Sequence, residues 1–326
     1  MKFSALATVA LGAEVALAAR WTEKRRERHA ARAASRQTNP LLPPTEADGL
    51  QVEAFTNETA NEEYSSNWAG AVLIGTGYKS VTGTFVVPTP SKPSGGSSST
   101  EYAASAWVGI DGDTATNSIL QTGVDFYVQG STVSFDAWYE WYPDYAYTFS
   151  GISISAGDTI TVTVTATSTT AGTAVVKNVS KGTSVTHTFT GQTKALQELN
   201  AEWIVEDFSS GGSLVPFADF GTVTFTGASA SGSSGTVTPS GATLIDIKQN
   251  SKVLTSSSVS GSSVTVEYVV YSQTAPGRPS TEWPKLDADP TEGPLVSPGT
   301  QWTSAPNHRL CDLGQQSIDG ESSLLL

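Results

Sequence analysis

The sequence predicts an all-β protein, a two-sheet antiparallel β-sandwich of the jelly-roll or concanavalin-like kind. Short stretches in which apolar and polar residues alternate with period two follow one another over residues 66–271. Clusters of Gly, Ser and Pro, such as 91–100 and 228–235, separate these stretches and are typical of loops. The alternating stretches are dominated by Thr, Val, Ser, Tyr and Trp, which are typical of strands. Helical signal is limited to a short turn at 193–199. Many evenly spaced strands without βαβ alternation favour a sandwich.

About a dozen strands are predicted between these limits. The stretch TITVTVTAT at 159–167 alternates most cleanly, with its threonines facing solvent and Ile160, Val162 and Val164 facing a core. In chain order the predicted strands are 67–74, 80–87, 103–110, 118–128, 132–142, 158–167, 173–179, 184–190, 200–208, 220–226, 242–249 and 264–271.

The two ends of the chain differ from this middle part. Residues 1–19 combine Lys2, an apolar run and small residues before Arg20, the layout of a cleavable secretory signal. No other run approaches the ~18 apolar residues of a membrane span, so we expect a secreted, extracellular protein without a membrane partner. Residues 64–273 form the predicted sandwich domain. Residues 274–326 are rich in Pro, Ser, Gly and charge, which predicts a disordered tail.

The charge of the chain reverses near Tyr64. Residues 20–36 hold seven Lys and Arg, whereas from Tyr64 onward 22 acidic residues face 10 basic ones. This predicts a basic prosegment at 20–63 that docks on the acidic body and leaves when low pH protonates its partners; the alternative is a disordered basic tail. Replacing Arg25, Arg26 and Arg28 by Gln would test the electrostatic version. A net negative body argues against nucleic-acid binding.

Cysteine and histidine are too scarce for several common kinds of site. Cys311 is the single cysteine, so no disulfide framework is predicted. His187 lies in the alternating stretch SVTHTFT and is expected to be structural. The sequence therefore offers few histidine and cysteine residues for a Ser-His-Asp triad or a zinc site. Catalysis would then come from carboxylates, amides, hydroxyls and aromatics. The sequons at Asn57 and Asn178 are glycan acceptors if they lie on the surface.

The stretch ELNAEWIVEDF at 198–208 places two carboxylates on one face of a strand. Glu202, Ile204 and Glu206 point to one side, because side chains alternate along an extended backbone. A buried carboxylate costs several kcal/mol unless it is paired or neutralised. That face is therefore either solvated or part of a site.

A second acidic and aromatic face is predicted in FDAWYEWYPDYAYTF at 135–149. There Asp136, Trp138, Glu140 and Tyr142 share one side, while Tyr139 and Trp141 can fill the core on the other. A face of this composition is typical of a groove. The alternative is that the aromatics fill a sandwich interior.

Six blocks of the sequence resemble the fungal glutamic peptidases, the eqolisins. The resemblance covers roughly residues 64–271 and implies a two-sheet sandwich and a secreted acid endopeptidase acting on proteins or peptides. Together with the basic leader it predicts a prosegment-bearing zymogen. The blocks are YSSNWAGAVL (64–73), WVGIDGDT (107–114), ILQTGVDF (119–126), DAWYEWYP (136–143), AEWIVEDF (201–208) and VPFADFGTV (215–223).

The resemblance also implies roles for individual residues. Glu202 and Gln121 correspond to the catalytic Glu–Gln pair, with Glu202 as general base and acid and Gln121 as oxyanion stabiliser. Neither a metal nor a cofactor is implied, and the processed enzyme is expected to be a monomer. The residues implied to line the substrate cleft are Trp68, Trp107, Asp111, Asp136 and Glu140.

Two carbohydrate-active alternatives remain at this point. A glycoside hydrolase would pair Glu202 with Glu206 or Glu140, but residues i and i+4 of a strand lie ~13 Å apart, wider than either hydrolytic geometry prefers. A carbohydrate-binding module would use Trp138 with neighbouring tyrosines as a stacking platform, and it gives Gln121 and Glu202 no role.

Overall fold

The computed structural model describes residues 31, 34–44 and 62–272, all within one compact unit. Nineteen strands and no helix occur within 34–44 and 62–272. The strands are β1 Arg36–Gln37, β2 Glu62–Ser65, β3 Trp68–Ile74, β4 Tyr78–Val86, β5 Glu101–Ile110, β6 Ile119–Gln129, β7 Thr132–Tyr142, β8 Tyr147–Thr148, β9 Thr159–Ser168, β10 Ala171–Asn178, β11 Thr183–Phe189, β12 Asn200–Glu206, β13 Ser209–Ser210, β14 Ser213–Leu214, β15 Thr222–Gly232, β16 Gly235–Val237, β17 Thr243–Gln249, β18 Lys252–Ser260 and β19 Ser263–Ser272.

The strands form two packed antiparallel layers, which confirms the predicted all-β sandwich. One layer runs β17-β3-β12-β5-β6-β7-β8 and the other runs β11-β10-β9-β4-β15, and β18 and β19 connect them into a continuous hydrogen-bonded path. Strands β4, β9 and β10 pack on β5, β6 and β12 across the interior. A separate small sheet joins β1 to β13 and β14, and β2 adds to β17 in parallel.

The core between the layers follows the predicted alternation. In β9, Ile160, Val162 and Val164 are fully buried, and the threonines between them are partly exposed. From the other layer, Trp203 enters the same core and its indole Nε1 donates to the carbonyl of Thr82 at 2.8 Å. Burial of such apolar side chains contributes roughly 25 cal/mol per Å².

Three local predictions are wrong. Strand β18 was not predicted, because its inward positions include Thr255 and Ser257, whose hydroxyls donate to Asp246 at 3.0 and 2.9 Å. Most of 228–235 is strand rather than loop, since β15 continues to Gly232. The turn at 193–199 is not helical, because the backbone N–H groups of 197–199 donate to the Asp111 carboxylate.

Asn178 does not meet the surface condition for a glycan acceptor. Its side chain is fully buried, and its amide nitrogen donates to the carbonyl of Ser153 at 3.0 Å and to Asp158 at 2.8 Å. The other sequon at Asn57, the signal at 1–19 and the tail at 274–326 lie outside the described residues. Within the described ranges, no helix is long and apolar enough to cross a membrane.

Candidate active site

Five adjacent strands, β3, β12, β5, β6 and β7, present a shared face formed by side chains from three levels of the sheet. Cross-strand neighbours in an antiparallel sheet point to the same side, so each level forms a row of side chains. The first row joins Val72, Glu202, Gly109, Gln121 and Glu140. Glu202 and Gln121 are thus separated by one strand, and at that position the strand carries a glycine.

The other two rows lie two and four residues further along the strands. The middle row is aromatic and small, and the third is mainly acidic. We call the side formed by all three rows the acidic face. The middle row contains Gly70, Ile204, Trp107, Gly123 and Trp138, and the third contains Trp68, Glu206, Ser105, Asp125 and Asp136.

Glu202 and Gln121 are fully buried, and neither side chain has a hydrogen-bond partner among the described residues. This holds for both carboxylate oxygens and for both polar atoms of the amide. Burial raises the pKa of Glu202 well above its ordinary value, and the nearby charges of Asp111 and Asp113 raise it further. Buried polar atoms without protein partners cost about 1–3 kcal/mol each, so such a pair is expected where function requires it.

Gly109 provides the space in which the two side chains meet. A methyl group added there would lie 2.6 Å from Glu202 Oε1 and 2.8 Å from the Trp107 ring, both shorter than van der Waals contact. It would also lie 3.4 Å from the Gln121 Cβ atom. The row is therefore open because its middle residue has no side chain.

On the catalytic role that the family resemblance implies for Glu202, replacing Gly109 by alanine is expected to displace the Glu202 carboxylate and to lower kcat on the order of 10²-fold, the usual cost of a misplacement of about 1 Å. Gly75→Ala is the matched control, because its added methyl would first meet the Tyr78 side chain outside the face, 2.8 Å from the hydroxyl oxygen. The measurement is kcat for a peptide substrate together with the melting temperature. Equal kcat values for the two variants would contradict the role given to Gly109.

The start of β12 is held in place by Asp111. This residue follows β5 with a left-handed φ of 70°, and its carboxylate accepts N–H groups from Gln197, Glu198, Leu199 and Asn200 at 2.6–3.3 Å. Asn200 in turn accepts the N–H groups of residues 114 and 115 at 3.0 and 3.1 Å. Asp111 thus acts on the site by fixing the chain two residues before Glu202.

The third row is held by indole and amide groups. Trp107 Nε1 donates to Glu206 Oε2 at 3.1 Å, and Asn67 Nδ2 donates to Glu206 Oε1 at 3.3 Å. Trp68 packs edge-on against Trp107 with ring centroids 5.0 Å apart. Burial raises the pKa of Glu206 to about 8, although Arg36 and hydrogen bonds from Thr38, Asn39 and Asn67 lower it.

Part of the basic leader lies on the acidic face. Residues 34–44, which we call the leader segment, place Arg36 within 2.7 Å of Asp125 and 3.2 Å of Glu140. Only 2% of Arg36 is exposed. The residues Arg25, Arg26 and Arg28, named above for the electrostatic test, lie outside the described residues.

The Glu202 carboxyl and the Gln121 amide, buried on either side of a glycine, agree with the family resemblance. The comparison of sequences decides whether the chain belongs to that family. The profile of the peptidase A4 family matches residues 66–268. The chain belongs to the peptidase A4 family. As a family member it is a peptidase, and the prediction of a glutamic endopeptidase is confirmed.

Relatives of this A4 peptidase match over most of its length. It is 57% identical over 286 residues to aspergillopepsin-2 of Aspergillus niger, covering 82% of this chain and 100% of that one. It is 41% identical over 283 residues to scytalidopepsin B of Scytalidium lignicola, again covering 82% and 100%. A crystal structure of scytalido-glutamic peptidase with a transition state analog inhibitor is 43% identical, with a TM-score of 0.58 over 63% of this chain and 98% of that one.

The predicted site residues of this A4 peptidase fall into two groups. Six of them lie on the acidic face, and Asp111 lies beside it with its carboxylate bound to backbone. Asp125 was missed, although it follows Gln121 by four residues in one strand and so shares its side. The six are Trp68, Trp107, Gln121, Asp136, Glu140 and Glu202.

Proposed function

We propose that Glu202 and Gln121 are the catalytic pair of a secreted acid endopeptidase and activate one water molecule between them. The observation that carries this proposal is their shared row: two buried side chains flank Gly109, and all four of their polar atoms lack a partner among the described residues. A water molecule needs two to four polar partners at a buried site, and this row offers them.

The reaction follows from the two functional groups. Once water enters the opened site, burial no longer opposes the ionisation of Glu202, and its carboxylate takes a proton from the water while the water oxygen attacks the peptide carbonyl carbon. The carbonyl π electrons move to its oxygen, and the Gln121 amide N–H donates to this oxyanion. When the C–N bond breaks, the amine nitrogen leaves with the proton that Glu202 holds. The carboxylate is then regenerated, and the products are a carboxylic acid and an amine.

A single carboxyl governs the protonation of this pair, because glutamine does not titrate. In a pair of aspartates, by contrast, the two groups share a proton and titrate together. The acidic environment of the body loses much of its self-repulsion as the pH falls. We therefore propose that the enzyme works in acidic medium, outside the cell, after export by the signal at 1–19.

The substrate is proposed to be a protein or peptide in extended form. The acidic face spans three rows of the sheet, and its indole, amide and carboxyl groups can accept and donate along a peptide backbone. A carbohydrate platform on Trp138 is less well supported, because this ring is 1% exposed and lies under Arg36. The solved structure with a transition state analog inhibitor belongs to a relative of the same family.

The test is hydrolysis of a denatured protein and, in parallel, of a polysaccharide by the wild-type chain between pH 2 and pH 7. We expect peptide-bond cleavage below about pH 5 that is insensitive to an aspartic-protease inhibitor, with no release of sugar. Cleavage that the inhibitor abolishes, or release of sugar without peptide cleavage, would overturn the proposed function.

A further inference from the structure

We propose that the cavity between the edge strands β8 and β11 binds one ring of a neutral hexose, carried by a polysaccharide or by a glycoprotein. This inference goes beyond the proposed function, because the cavity and the acidic face lie on opposite sides of β7. Glu140 points from β7 to the acidic face, whereas its neighbours Tyr139 and Trp141 line the cavity.

The cavity opens where two edges of the sandwich come together. Strands β8 and β11 stand at the two ends of the hydrogen-bonded path through the layers. The space between the side chains of β7, β8 and β11 has a volume of about 260 Å³. Sites for drug-sized ligands measure ~300–1,000 Å³, so this cavity has room for about one ring system.

Aromatic rings form the walls of the cavity and hold one another in place. His187 stacks on Tyr139 with ring centroids 3.9 Å apart and planes at 9°, and Phe189 meets these two rings edge-on at 4.6 and 5.9 Å. Tyr147 is the register neighbour of Tyr139 and stacks on it at 5.9 Å, yet 47% of Tyr147 is exposed. A ring that is exposed but already fixed can bind a ligand at little cost in side-chain entropy.

Two polar side chains at the cavity are suited to binding hydroxyl groups. Asp144 accepts the N–H of Tyr145 at 2.8 Å and the hydroxyl of Tyr147 at 3.1 Å, and these bonds orient its carboxylate. Gln192 Nε2 donates to the carbonyl of Thr190 at 3.4 Å, a long bond that a ligand can replace. A carboxylate accepts and an amide both accepts and donates, so the two together match hydroxyls, which also do both.

This combination favours a neutral hexose over an ion or a purely apolar ligand. A pyranose ring presents C–H groups on its faces, which the negative face of an aromatic ring attracts, and hydroxyls around its rim. An anion would meet the Asp144 carboxylate, and a cation would meet His187 once that imidazole is protonated. An apolar ligand would remove water from Asp144 and Gln192 without giving them new hydrogen bonds.

The test is a titration of the full-length Glu202→Gln chain, in which self-cleavage is prevented, with methyl α-D-mannoside and methyl β-D-glucoside. Binding is measured by saturation-transfer NMR at pH 4.5. We expect a Kd of about 1–10 mM for at least one glycoside, a range that its small number of atoms allows. Tyr147→Ala should weaken this binding at least tenfold, and Asp144→Asn should weaken it severalfold.

Tyr145→Ala is the matched control and should bind as tightly as the parent chain. Tyr145 is 52% exposed and two residues from Tyr147, but it does not line the cavity, and its backbone N–H to Asp144 is kept. No binding of either glycoside, or an equal loss in the control, would overturn the proposal. Tighter binding of tetramethylammonium than of both glycosides would also overturn it and identify a site for cations.

Two further arms distinguish the sources of the hexose. The same chains are passed over insoluble β-glucan and mannan, and over immobilised ribonuclease B and its unglycosylated form, ribonuclease A. Retention on a polysaccharide that Tyr147→Ala abolishes would support a polysaccharide ligand. Retention on ribonuclease B alone, lost in the same variant, would support a protein glycan. Equal retention on ribonucleases A and B that Tyr147→Ala abolishes would identify a peptide site and overturn the proposal.

Discussion

Replacing Glu202 by glutamine is expected to reduce peptide-bond hydrolysis to background, and replacing Gln121 by alanine should lower kcat about 10²–10³-fold. The first change removes the only titrating group of the proposed pair, so no proton can be taken from water or returned to the amine. The second removes one oxyanion donor, which costs about 3–4 kcal/mol in comparable sites. Both are measured as kcat and KM on the acid-activated enzyme.

The pattern of the two constants separates a chemical role from a structural one. Loss of an interaction made only in the transition state lowers kcat and leaves KM nearly unchanged. Glu267→Gln and Gln129→Ala are matched controls, because Glu267 is exposed on β19 and Gln129 ends β6 with its amide bonded to the carbonyl of Ser99. Activity that survives in both site variants at the level of these controls would remove the pair from the mechanism.

The free energy of unfolding should fall as the pH rises from 4 to 8. A carboxyl whose pKa is raised in the folded state binds its proton more tightly there than in the unfolded chain. Its stabilisation is complete below the unfolded pKa and is lost as the pH rises through the folded pKa. For Glu206 this window runs from the ordinary 4.5 to about 8, and the shift corresponds to on the order of 5 kcal/mol.

Glu202 contributes to the same loss, so its removal should stabilise the protein at neutral pH. The pKa of this carboxyl is raised by burial, and the described residues offer it no hydrogen bond. Glu202→Gln should therefore melt about 2–4 °C higher than wild type at pH 7.5, corresponding to about 1 kcal/mol. At pH 4 the two proteins should have the same melting temperature. Urea and thermal unfolding at both pH values check this. Stability that rises with pH would contradict the assignment of these buried acids.

The sequence identifies strands well where burial is apolar and less well where it is polar. Strand β7 is predicted at its observed bounds, and β9 within one residue at each end, because their core-facing positions are large and apolar. Strand β18 lacks that signal, since its buried Thr255 and Ser257 serve Asp246. In β15, small residues permit close packing: a methyl group on Gly232 would lie 1.9 Å from the Gly77 carbonyl oxygen.

The candidate site divides in the same way. Alternation alone places Glu202 and Glu206 on one side of β12, and the family resemblance supplies Gln121 and Trp107. Which basic residue of the leader docks could not be predicted, because it depends on a contact between chain segments about 90–100 residues apart. The role of Gly109 was equally hidden, since it follows from cross-strand register.

The C-terminal end of the leader segment lies beside Ser66, just before β3. The N–H of Ser66 donates to the carbonyl of Leu42 at 2.8 Å, so residues 43–65 join two points that are already in contact. While that covalent connection is intact, the contact between the leader segment and the acidic face is intramolecular, at an effective concentration of about 1 mM for a short tether. A single cut within 45–61 would make the contact bimolecular, so its occupancy would depend on the protein concentration. Dilution would then favour release of the leader segment from the acidic face, whereas concentrated protein would keep it bound.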